Sequence, residues 1–584
     1  MDNSQLASLL HEITTLMELA GEDSFRSGAF SRAGRTIETL PDSVAAKVKD
    51  GTLDSVPGLG KTLKETVTHL VETGTCKQLD ELREKTPPGL VQMLRIPGVG
   101  PKKVRAMHLE LGIDTLAQLK KACEAGKVAG LKGFGEKTQA KILEGLAFVE
   151  QSSERVRLDQ ALAVAEPLVA AIRAMEGVKH AELAGSLRRR RETVKDIDIV
   201  ATVADPKEAT AILEEFTRLP GVERVVGQGD TKASVVTKLG EGTKAIRINA
   251  DLRVVSTHAF PFALNYFTGS KEHNVALRQR AQALGLKLNE YGLEGEGGGK
   301  KCKDEAAVYQ ALGLEYVVPE LRENTGEVQA ALDGKLPKLV DIDQVKGVFH
   351  NHTTASDGIH TLEEMAEAAR ALGYQWLGIG DHSQSLTIAN GLSPDRVRDQ
   401  WREIDRLNRK WKGFRILKGS EVDILPDGSL DFDDDLLAGF DYVVASVHTH
   451  FNQPREEMTA RIVKALENPF VTMLGHPTGR LLLRREAYAV DLEEVLQAAK
   501  RHDKWVEINA NPMRLDLDWV HCRRARELGV RLVTNPDAHA AEELANTIYG
   551  VEVARRGWIG PKQLANTLDL DGVLEELEAR RKKA

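Results

Sequence analysis

Apolar residues recur at helical spacing through the first 150 residues of the chain, for example in LASLLHEITTLMEL and KTLKETVTHLV. Over 151–330, strand-like runs such as IDIVATV and IRINADLRVV alternate with helical segments such as PKEATAILEEFTRL. From about residue 341 onward, short apolar runs are followed regularly by amphipathic helical ones. The pattern therefore predicts an all-helical region, an α+β region and a barrel-like α/β region, in that order.

These changes of pattern divide the chain of 584 residues into several expected domains. Residues 321–340 contain the turn-forming segments Asn324-Thr-Gly326 and Asp333-Gly-Lys-Leu-Pro337, so we expect a linker there. The pattern itself gives a helical region over 1–150, an α+β region over 151–330 and a barrel-like domain over 341–575.

Composition and charge exclude some classes of protein. The four cysteines are scattered without a CxxC pair, which argues against a disulfide framework and a zinc knuckle. The start MDNSQLASLLHEI lacks the features of a signal peptide, and no run of 18 apolar residues predicts a membrane span, so we expect a cytoplasmic protein without a membrane partner. The net charge of -8 leaves nucleic acid open as a partner, because the stretch 95–141 holds ten Lys or Arg against four Asp or Glu.

Three glycine-rich turns precede helical patterns in the first 150 residues. One such turn is as well explained by a tight connection between helices, but three copies with nearby lysines favour contact with a DNA backbone, since the first N–H groups of a helix can hold a phosphate. They resemble helix–hairpin–helix motifs, which position a protein without reading sequence. The residues assigned to DNA contact are Gly58, Gly60 and Lys61, then Gly98, Gly100 and Lys102, then Gly133, Gly135 and Lys137.

The middle region contains a candidate site for nucleotidyl transfer. Asp196 and Asp198 project from one face of the strand-like segment DIDIVATV, and Asp251 lies in another strand. Three carboxylates brought together can bind two Mg²⁺ or Mn²⁺ ions and support in-line phosphoryl transfer. The turn Gly185-Ser186 and the following arginines offer N–H groups and guanidinium forks to a phosphate. A lone DxD or a lone arginine run is more often structural, but the ordered set favours nucleotidyl transfer.

This set resembles the palm of family X (DNA polymerase beta-like) DNA polymerases, and the resemblance continues through Tyr266-Phe-Thr-Gly-Ser-Lys-Glu-His-Asn274. It implies a DNA-binding domain over 1–90, fingers over 91–150, a palm over 151–260 and a thumb over 261–320. It also implies that Arg278 contacts the template and that Asp251 is nearest the primer 3′-hydroxyl, as a candidate general base. Simple core packing is the alternative for Tyr266 and Phe267. The implied nucleotide-binding residues are Gly185, Ser186, Arg189, Arg155, Tyr266, Phe267, Gly269 and Asn274.

One position departs from the family pattern. Family members that remove a 5′-deoxyribose phosphate use a lysine as Schiff-base nucleophile. Counted from Pro57-Gly-Leu-Gly60, that position falls on Thr66, and Lys64 lies on a different helical face. We therefore predict no lyase activity, or a very weak one.

The carboxy-terminal region holds ten of the sixteen histidines, and several of them follow strand-like runs. In a parallel α/β barrel the carboxyl ends of the strands converge on one face, so these side chains are expected to meet. A lone histidine at a strand end is usually a hydrogen-bonded core residue, but six coincident segments make that reading improbable. Such ligands suit Zn²⁺, Mn²⁺ or Fe, and their number predicts two or three ions, Zn²⁺ or Mn²⁺. The expected ligands are His350, His352, Asp357, His382, Glu421, His448, His476, Asp537 and His539; His450, His360, His502 and His521 are left out.

This pattern resembles the polymerase-and-histidinol-phosphatase (PHP) domain, and includes Gly475-His-Pro-Thr-Gly-Arg480 and Glu507-Ile-Asn-Ala-Asn511. The whole chain thus resembles bacterial family X polymerases with a PHP domain. The resemblance implies a polymerase that fills short gaps in DNA repair and a 3′-5′ exonuclease, in some relatives with cleavage at abasic sites. The expected partners are gapped or primer-template DNA and dNTPs, with the protein a monomer near the nucleoid. Two alternatives stay open: a PHP nuclease or phosphatase delivered by a weak polymerase module, and a PHP domain that is only structural.

Overall fold

The computed structural model describes all residues except 2, 39, 41–42, 57, 95, 97, 154, 241–244, 297 and 584. Two compact units divide the chain, one over 1–154 and the other over 155–584. Among the described residues, no helix is long and apolar enough to span a bilayer.

The first unit is built from helices around two apolar cores. Leu10, Ile13 and Val67 lie in the first core, and Met93 and Val104 lie in the second. Apolar residues at helical spacing thus face inward, as the periodicity predicts. The helices are α1 (Asn3–Ala20), α2 (Ser24–Glu38), α3 (Val44–Lys49), α4 (Lys61–Thr73), α5 (Lys77–Lys85), α6 (Pro88–Met93), α7 (Pro101–Leu111), α8 (Leu116–Glu124) and α9 (Glu136–Ser153).

The second unit begins with a five-stranded sheet in the order β2-β4-β7-β6-β5. Strands β4 and β7 are parallel, and the other neighbours are antiparallel. Apolar residues of α10 and α12 pack with those of β4 and β7 in one core. The elements are β1 (Val156–Arg157), α10 (Leu158–Ala174), β2 (Val178–Leu183), α11 (Gly185–Arg188), β3 (Thr193–Val194), β4 (Asp196–Val203), α12 (Ala209–Phe216), β5 (Val222–Gln228), β6 (Lys232–Leu239) and β7 (Ile246–Ser256).

A smaller helical layer with a three-stranded sheet follows. Its core includes Phe262, Leu277, Val308 and Tyr309. The elements are α13 (Phe260–Thr268), α14 (Lys271–Ala283), β8 (Lys287–Leu288), β9 (Leu293–Gly295), β10 (Gly298–Lys300), α15 (Glu305–Ala311) and α16 (Glu327–Leu332).

Residues 321–340 do not form the linker that their turn signals predict. The side chains of Arg322 and Glu327 are fully buried, and α16 lies within the segment. Arg322 pairs with Glu305 at 2.8 Å, and Glu327 pairs with His273 at 2.5 Å. Arg322 and Glu327 therefore tie this segment into the packed fold through internal ionic contacts.

The remainder forms a barrel of parallel strands, in sheets β11-β12-β13 and β14-β15-β16-β17-β18. Single bridges from His382 to Glu421 and from Asn351 to Ala538 connect the two sheets at both edges. Phe349, Trp376, Tyr442 and Trp505 lie together in a buried aromatic cluster. The elements are β11 (Gly347–Val348), α17 (Leu362–Ala371), β12 (Trp376–Gly378), α18 (Pro394–Asn408), β13 (Arg415–Leu417), β14 (Gly419–Asp423), α19 (Asp434–Leu437), β15 (Tyr442–Ser446), α20 (Arg455–Glu467), β16 (Met473–Leu474), α21 (Leu492–Arg501), β17 (Trp505–Asn509), α22 (Trp519–Leu528), β18 (Leu532–Asn535), α23 (Thr547–Arg556) and α24 (Leu570–Arg581).

Candidate active sites

Each of the three glycine-rich turns leads directly into a helix, α4, α7 or α9. The middle glycines Gly58, Gly98 and Gly133 have φ values of 77°, 75° and 84°, which favour glycine over any L-residue with a Cβ. The apolar residues that begin the turns, Val56, Ile96 and Leu131, are buried and anchor them. The second residues Pro57 and Pro97 lie outside the described residues. Gly60 and Gly100 cap their helices, Gly135 precedes α9, and Lys61, Lys102 and Lys137 are exposed beside these turns.

The three aspartates of the middle region lie on the neighbouring parallel strands β4 and β7, close to the amino-terminal end of β4. Asp198 on β4 lies directly opposite Asp251 on the parallel strand β7, and Asp196 is opposite Asn249. Burial, then the carboxylates of Asp196 and Asp251, raise the pKa of Asp198 to about 7. The Lys232 ammonium lies 2.5 Å from a carboxylate oxygen of Asp251. The clustered acids repel one another, so the arrangement favours bound cations.

Gly185 gives the Asp198 carboxylate its space. The residue has a φ of 61°, and a Cβ there would lie 2.1 Å from Oδ2 of Asp198. The Ala184 N–H donates to the Asp198 carbonyl at 2.8 Å, which fixes the turn against β4. Ser186, the residue after Gly185, is half-buried in α11.

The arginines predicted to hold a triphosphate are paired with protein groups. Arg189 is buried, and it donates to the Thr268 carbonyl at 2.6 Å and to Glu323 at 3.1 Å. Arg155 donates to the Thr193 hydroxyl at 2.8 Å. A bound triphosphate would therefore have to exchange with these partners.

The residues predicted to surround the nucleotide lie at the junction of α13 and α14. Tyr266 and Phe267 are only half-buried, with ring centroids 5.2 Å apart in an edge-to-face arrangement. Asn274 donates from its side-chain amide to the Tyr266 carbonyl at 2.7 Å. Gly269 has a φ of 71°, and a Cβ there would lie 3.1 Å from Arg189. The predicted template contact, Arg278, is exposed on α14.

The barrel brings all of the predicted histidine and carboxylate ligands together. They fall into four overlapping groups in which the candidate ligand atoms lie within 4.8 Å of one another. The rings of His352 and His382 stack with centroids 4.5 Å apart, and His352 and His539 do so at 4.2 Å. The groups are His352, Asp357, His382 and His539; His350, His476 and Asp537; His350, His352 and Glu421; and His382, Glu421 and His448.

Several ring nitrogens of this cluster have no hydrogen-bond partner although they are buried. They belong to His350 (Nε2), His352 (Nδ1), His382 (Nδ1) and His476 (Nδ1). Burial and the nearby imidazoles of His539 and His382 lower the pKa of His352 to about 4. Buried imidazole nitrogens that lack a hydrogen bond and lie beside carboxylates are a donor set that a transition metal can bind, so the residues fit bound metal ions.

Further carboxylates orient these histidines, and the sequence prediction did not assign them. Glu507 pairs with Nδ1 of His350 at 2.7 Å and accepts a hydrogen bond from the backbone N–H of His476 at 2.7 Å. Asp423 pairs with Nδ1 of His448 at 2.6 Å. Such contacts fix the tautomer and direction of a metal-binding imidazole. The alternation of Glu421 and Asp423 along β14 was the available signal for Asp423. Strand β17 holds a single acid, Glu507, whose partner His350 lies 157 residues away in sequence.

The omitted histidines lie outside these groups among the described residues. His450 is exposed with a φ of 57°, and His521 pairs with Asp518 at 2.7 Å. His360 accepts from the Ala541 N–H at 3.1 Å, between two loops of the barrel.

Four family models match the chain. They are the DNA polymerase beta thumb over residues 263–323, the PHP domain over 349–511, a helix-hairpin-helix domain over 1–76 and a SAM-like helix-hairpin-helix tandem over 90–147. The DNA polymerase/3′-5′ exonuclease PolX of Bacillus subtilis (strain 168) is 40% identical over 575 residues, covering 98% of this chain and 99% of that protein. The chain belongs to the PolX family.

This membership confirms the predicted family and the predicted multidomain fold class. Its polymerase and PHP domains together imply dependence on divalent metal ions. A probable phosphatase of Thermoanaerobacter sp. (strain X514) is 29% identical over 245 residues, covering 40% of this chain and 95% of that protein. A probable phosphatase of Caldanaerobacter subterraneus is 27% identical over 245 residues, covering 40% of this chain and 91% of that protein.

Proposed function

We propose that this PolX family member is a DNA-directed DNA polymerase that fills short gaps during repair, and that its PHP domain is a metal-dependent 3′-5′ exonuclease. The observation that carries the proposal is that one chain holds two sites with different ligand sets. Asp198 and Asp251 face each other in register on β4 and β7, and the barrel holds a separate histidine-rich cluster. The full-length similarity to the Bacillus subtilis enzyme supports both activities.

At the polymerase site, Asp196, Asp198 and Asp251 would hold Mg²⁺ or Mn²⁺. Two such ions supply charge neutralisation on the phosphates of an in-line displacement. Asp251, within 2.5 Å of the Lys232 ammonium, would receive the proton of the primer 3′-hydroxyl. Arg189 would exchange Glu323 for triphosphate oxygens, since both are anionic acceptors for its guanidinium. Arg155 would be a weaker phosphate contact than Arg189, because its guanidinium already donates hydrogen bonds to Thr193.

Around the nucleotide, Gly185 and Ser186 would contact phosphate oxygens, and Tyr266, Phe267 and Gly269 would contact the sugar. Asn274 is bonded to the Tyr266 carbonyl, so this side chain would orient both the turn and the nucleotide. Arg278, exposed on α14, would contact the template. These roles follow the family and are tested by single substitutions.

A gapped substrate is supported by the first unit. Its three hairpins carry glycines and exposed lysines that would contact the DNA backbone, and such contacts position a protein without reading sequence. Phe25 is 79% exposed, with the Arg32 guanidinium 6.0 Å from its ring centroid. An exposed ring beside a cation is suited to stacking on an unpaired base, as occurs at a gap.

At the barrel site, the nine predicted ligands would hold two or three ions of Zn²⁺ or Mn²⁺. Such ions supply an activated water and charge neutralisation on a phosphoester. Glu507 and Asp423 would fix the directions of His350 and His448 while these rings bind metal. The likeness to probable phosphatases supports testing a phosphate monoester as well as a 3′ end and an abasic site.

The proposal is tested by one time course on DNA with a one-nucleotide gap, with and without dNTPs and across Mg²⁺, Mn²⁺ and Zn²⁺. We expect gap filling with dNTPs and 3′-5′ shortening without them. Shortening without any gap filling under every metal would favour the alternative in which the polymerase half only delivers DNA. Gap filling without shortening would favour a structural PHP domain. Sizing of the DNA-free protein tests the expected monomer, and imaging tests the expected position in the cytoplasm at the nucleoid.

A further inference from the structure

The arginine run that follows the nucleotide turn is not a solvated surface. Arg188 pairs with Glu305 at 2.5 Å, Arg189 with Glu323 at 3.1 Å and Arg190 with Glu552 at 3.0 Å. These partners come from the thumb region, the segment after it and helix α23 of the barrel. The run therefore joins the palm to the rest of the second unit.

Glu192 ends this run and reaches the barrel loop that carries a predicted metal ligand. Its carboxylate lies 3.5 Å from the guanidinium of Arg480, and both side chains are largely buried, at 16% and 19% exposure. Arg480 lies four residues after His476 in the same loop. Thus a palm carboxylate contacts a segment of the histidine cluster.

Arg480 also clamps a second loop of the barrel. Its Nε donates to the Arg514 carbonyl at 3.0 Å, and another of its nitrogens donates to the Leu515 carbonyl. The Thr478 N–H donates to Asp516 at 2.9 Å, which ties the same two loops together. The direction of the Arg514 side chain is therefore set by the loop that Arg480 holds.

Arg514 lies at the edge of the histidine cluster. Its Nε is 3.5 Å from Oδ2 of Asp537, one of the predicted ligands, and its side chain is 18% exposed. Asn509 donates to the same Asp537 oxygen at 3.0 Å, so this carboxylate has a second donor that holds it in place. A partly exposed guanidinium at this edge offers planar donors that match the oxygens of a phosphodiester.

Resting on the proposed nuclease function, we propose that Arg514 contacts the substrate phosphate at the histidine cluster and that Glu192 of the palm is a positioning residue for it. Glu192 acts by holding Arg480, which in turn holds the Arg514 loop. Loss of the Glu192 charge leaves Arg480 without its ionic partner, and a shift of about 1 Å in a positioned group is enough to slow catalysis on the order of 100-fold. The nuclease geometry thus depends on a residue of the polymerase half.

The test uses the full-length protein and a single-stranded oligonucleotide, with Mn²⁺ as the metal. The variants are Glu192→Gln, Arg514→Ala and the double variant, with Glu192→Asp as the conservative change. Glu223→Gln is the matched control, because it removes a palm carboxylate from an exposed ion pair with Arg247. Bound metal per protein is measured for each variant, and kcat and KM for shortening are separated.

We expect Glu192→Gln to lower kcat roughly tenfold with little change in KM or bound metal, and Arg514→Ala to lower it on the order of 100-fold. The double variant should be no slower than Arg514→Ala, because both substitutions act on the same contact between Arg514 and the substrate. Glu192→Asp keeps the charge and should be faster than Glu192→Gln. The inference is overturned if Glu192→Gln and Glu223→Gln have the same kcat for shortening. It is also overturned if adding Glu192→Gln to Arg514→Ala lowers kcat by the same factor as adding it to the wild-type protein. If the wild-type protein does not shorten the strand at all, the proposed nuclease function fails instead.

Discussion

The Asp198 carboxylate occupies the space in which a side chain at Gly185 would have to begin. A Cβ on Gly185 would lie 2.1 Å from Oδ2 of Asp198, and the φ of Gly185 is 61°. The turn at Gly185 therefore packs directly against the Asp198 carboxylate. This packing places the predicted phosphate-binding turn beside the predicted metal ligands.

Substitution of Gly185 with alanine should damage the polymerase site selectively. The new Cβ must displace the Asp198 carboxylate, so we expect gap filling to fall about 100-fold. Shortening by the PHP domain should remain. Gly227→Ala is the control, since a Cβ there meets nothing within 4 Å. Primer extension by Gly185→Ala at the rate of the control would contradict this account of the turn.

Lyase activity is expected to be absent or very weak. Thr66 is buried at 9% exposure, and its hydroxyl donates to the Thr62 carbonyl at 2.9 Å. Lys64 is paired with Asp54. Borohydride trapping with a 5′-deoxyribose phosphate substrate should yield no covalent adduct above background. A strong adduct, lost in Lys64→Ala, would show that this neighbouring amine reacts after all.

Removal of the Asp423 carboxylate should weaken metal binding at the barrel. Asp423→Asn deprives Nδ1 of His448 of its charged partner at 2.6 Å. The expected loss in metal affinity is about 10- to 100-fold, read from metal titrations of shortening activity. Asp427→Asn serves as the control, because Asp427 is an exposed residue of the loop after β14. Equal metal affinities for the two variants would show that Asp423 does not support metal binding by His448.

The buried ion pair of Glu305 with Arg322 should make stability depend on pH. Burial opposes the charge of Glu305, but Arg322 and Arg188 outweigh it and lower the pKa to about 2 from 4.5. A depressed pKa stabilises the folded state above pH 4.5, and this contribution is lost as the pH falls toward 2.

The corresponding variant is Glu305→Gln, which leaves the guanidinium of Arg322 buried without its partner. At pH 7 we expect a loss of about 3 kcal/mol in the free energy of unfolding, measured by urea titration. The difference in the free energy of unfolding between Glu305→Gln and the wild-type protein should become smaller as the pH is lowered from 4.5 to 3.5. A difference that is constant over this range would mean that Glu305 does not titrate as described.

Site residues whose positions follow from their spacing along a strand, or from their place at a strand end, could be predicted from the sequence. The i, i+2 spacing places Asp196 and Asp198 on one face of a strand, and the convergence of strand ends in a parallel barrel brings the histidines together. The position of Asp251 opposite Asp198 required the register of β4 and β7, which no local pattern specifies.

Ionic contacts between distant segments that follow no repeated strand–helix pattern could not be predicted. The pairing of Glu192 with Arg480 joins two segments that are far apart in the chain, and an arginine run with no structural context suggests only a solvated surface. The turn residues of 321–340 suggested a linker, but the burial of Arg322 depends on partners in other elements. Such contacts are properties of the packed fold and leave no periodic signal.

The central claim is that the polymerase and nuclease activities reside in two separate sites of one chain. The most direct measurement is a parallel assay of Asp198→Ala and His352→Ala on DNA with a one-nucleotide gap. Asp198→Ala should lose gap filling and keep 3′-5′ shortening, and His352→Ala should do the reverse. If His352→Ala abolished gap filling while Asp198→Ala left it intact, the proposed division of labour would be wrong.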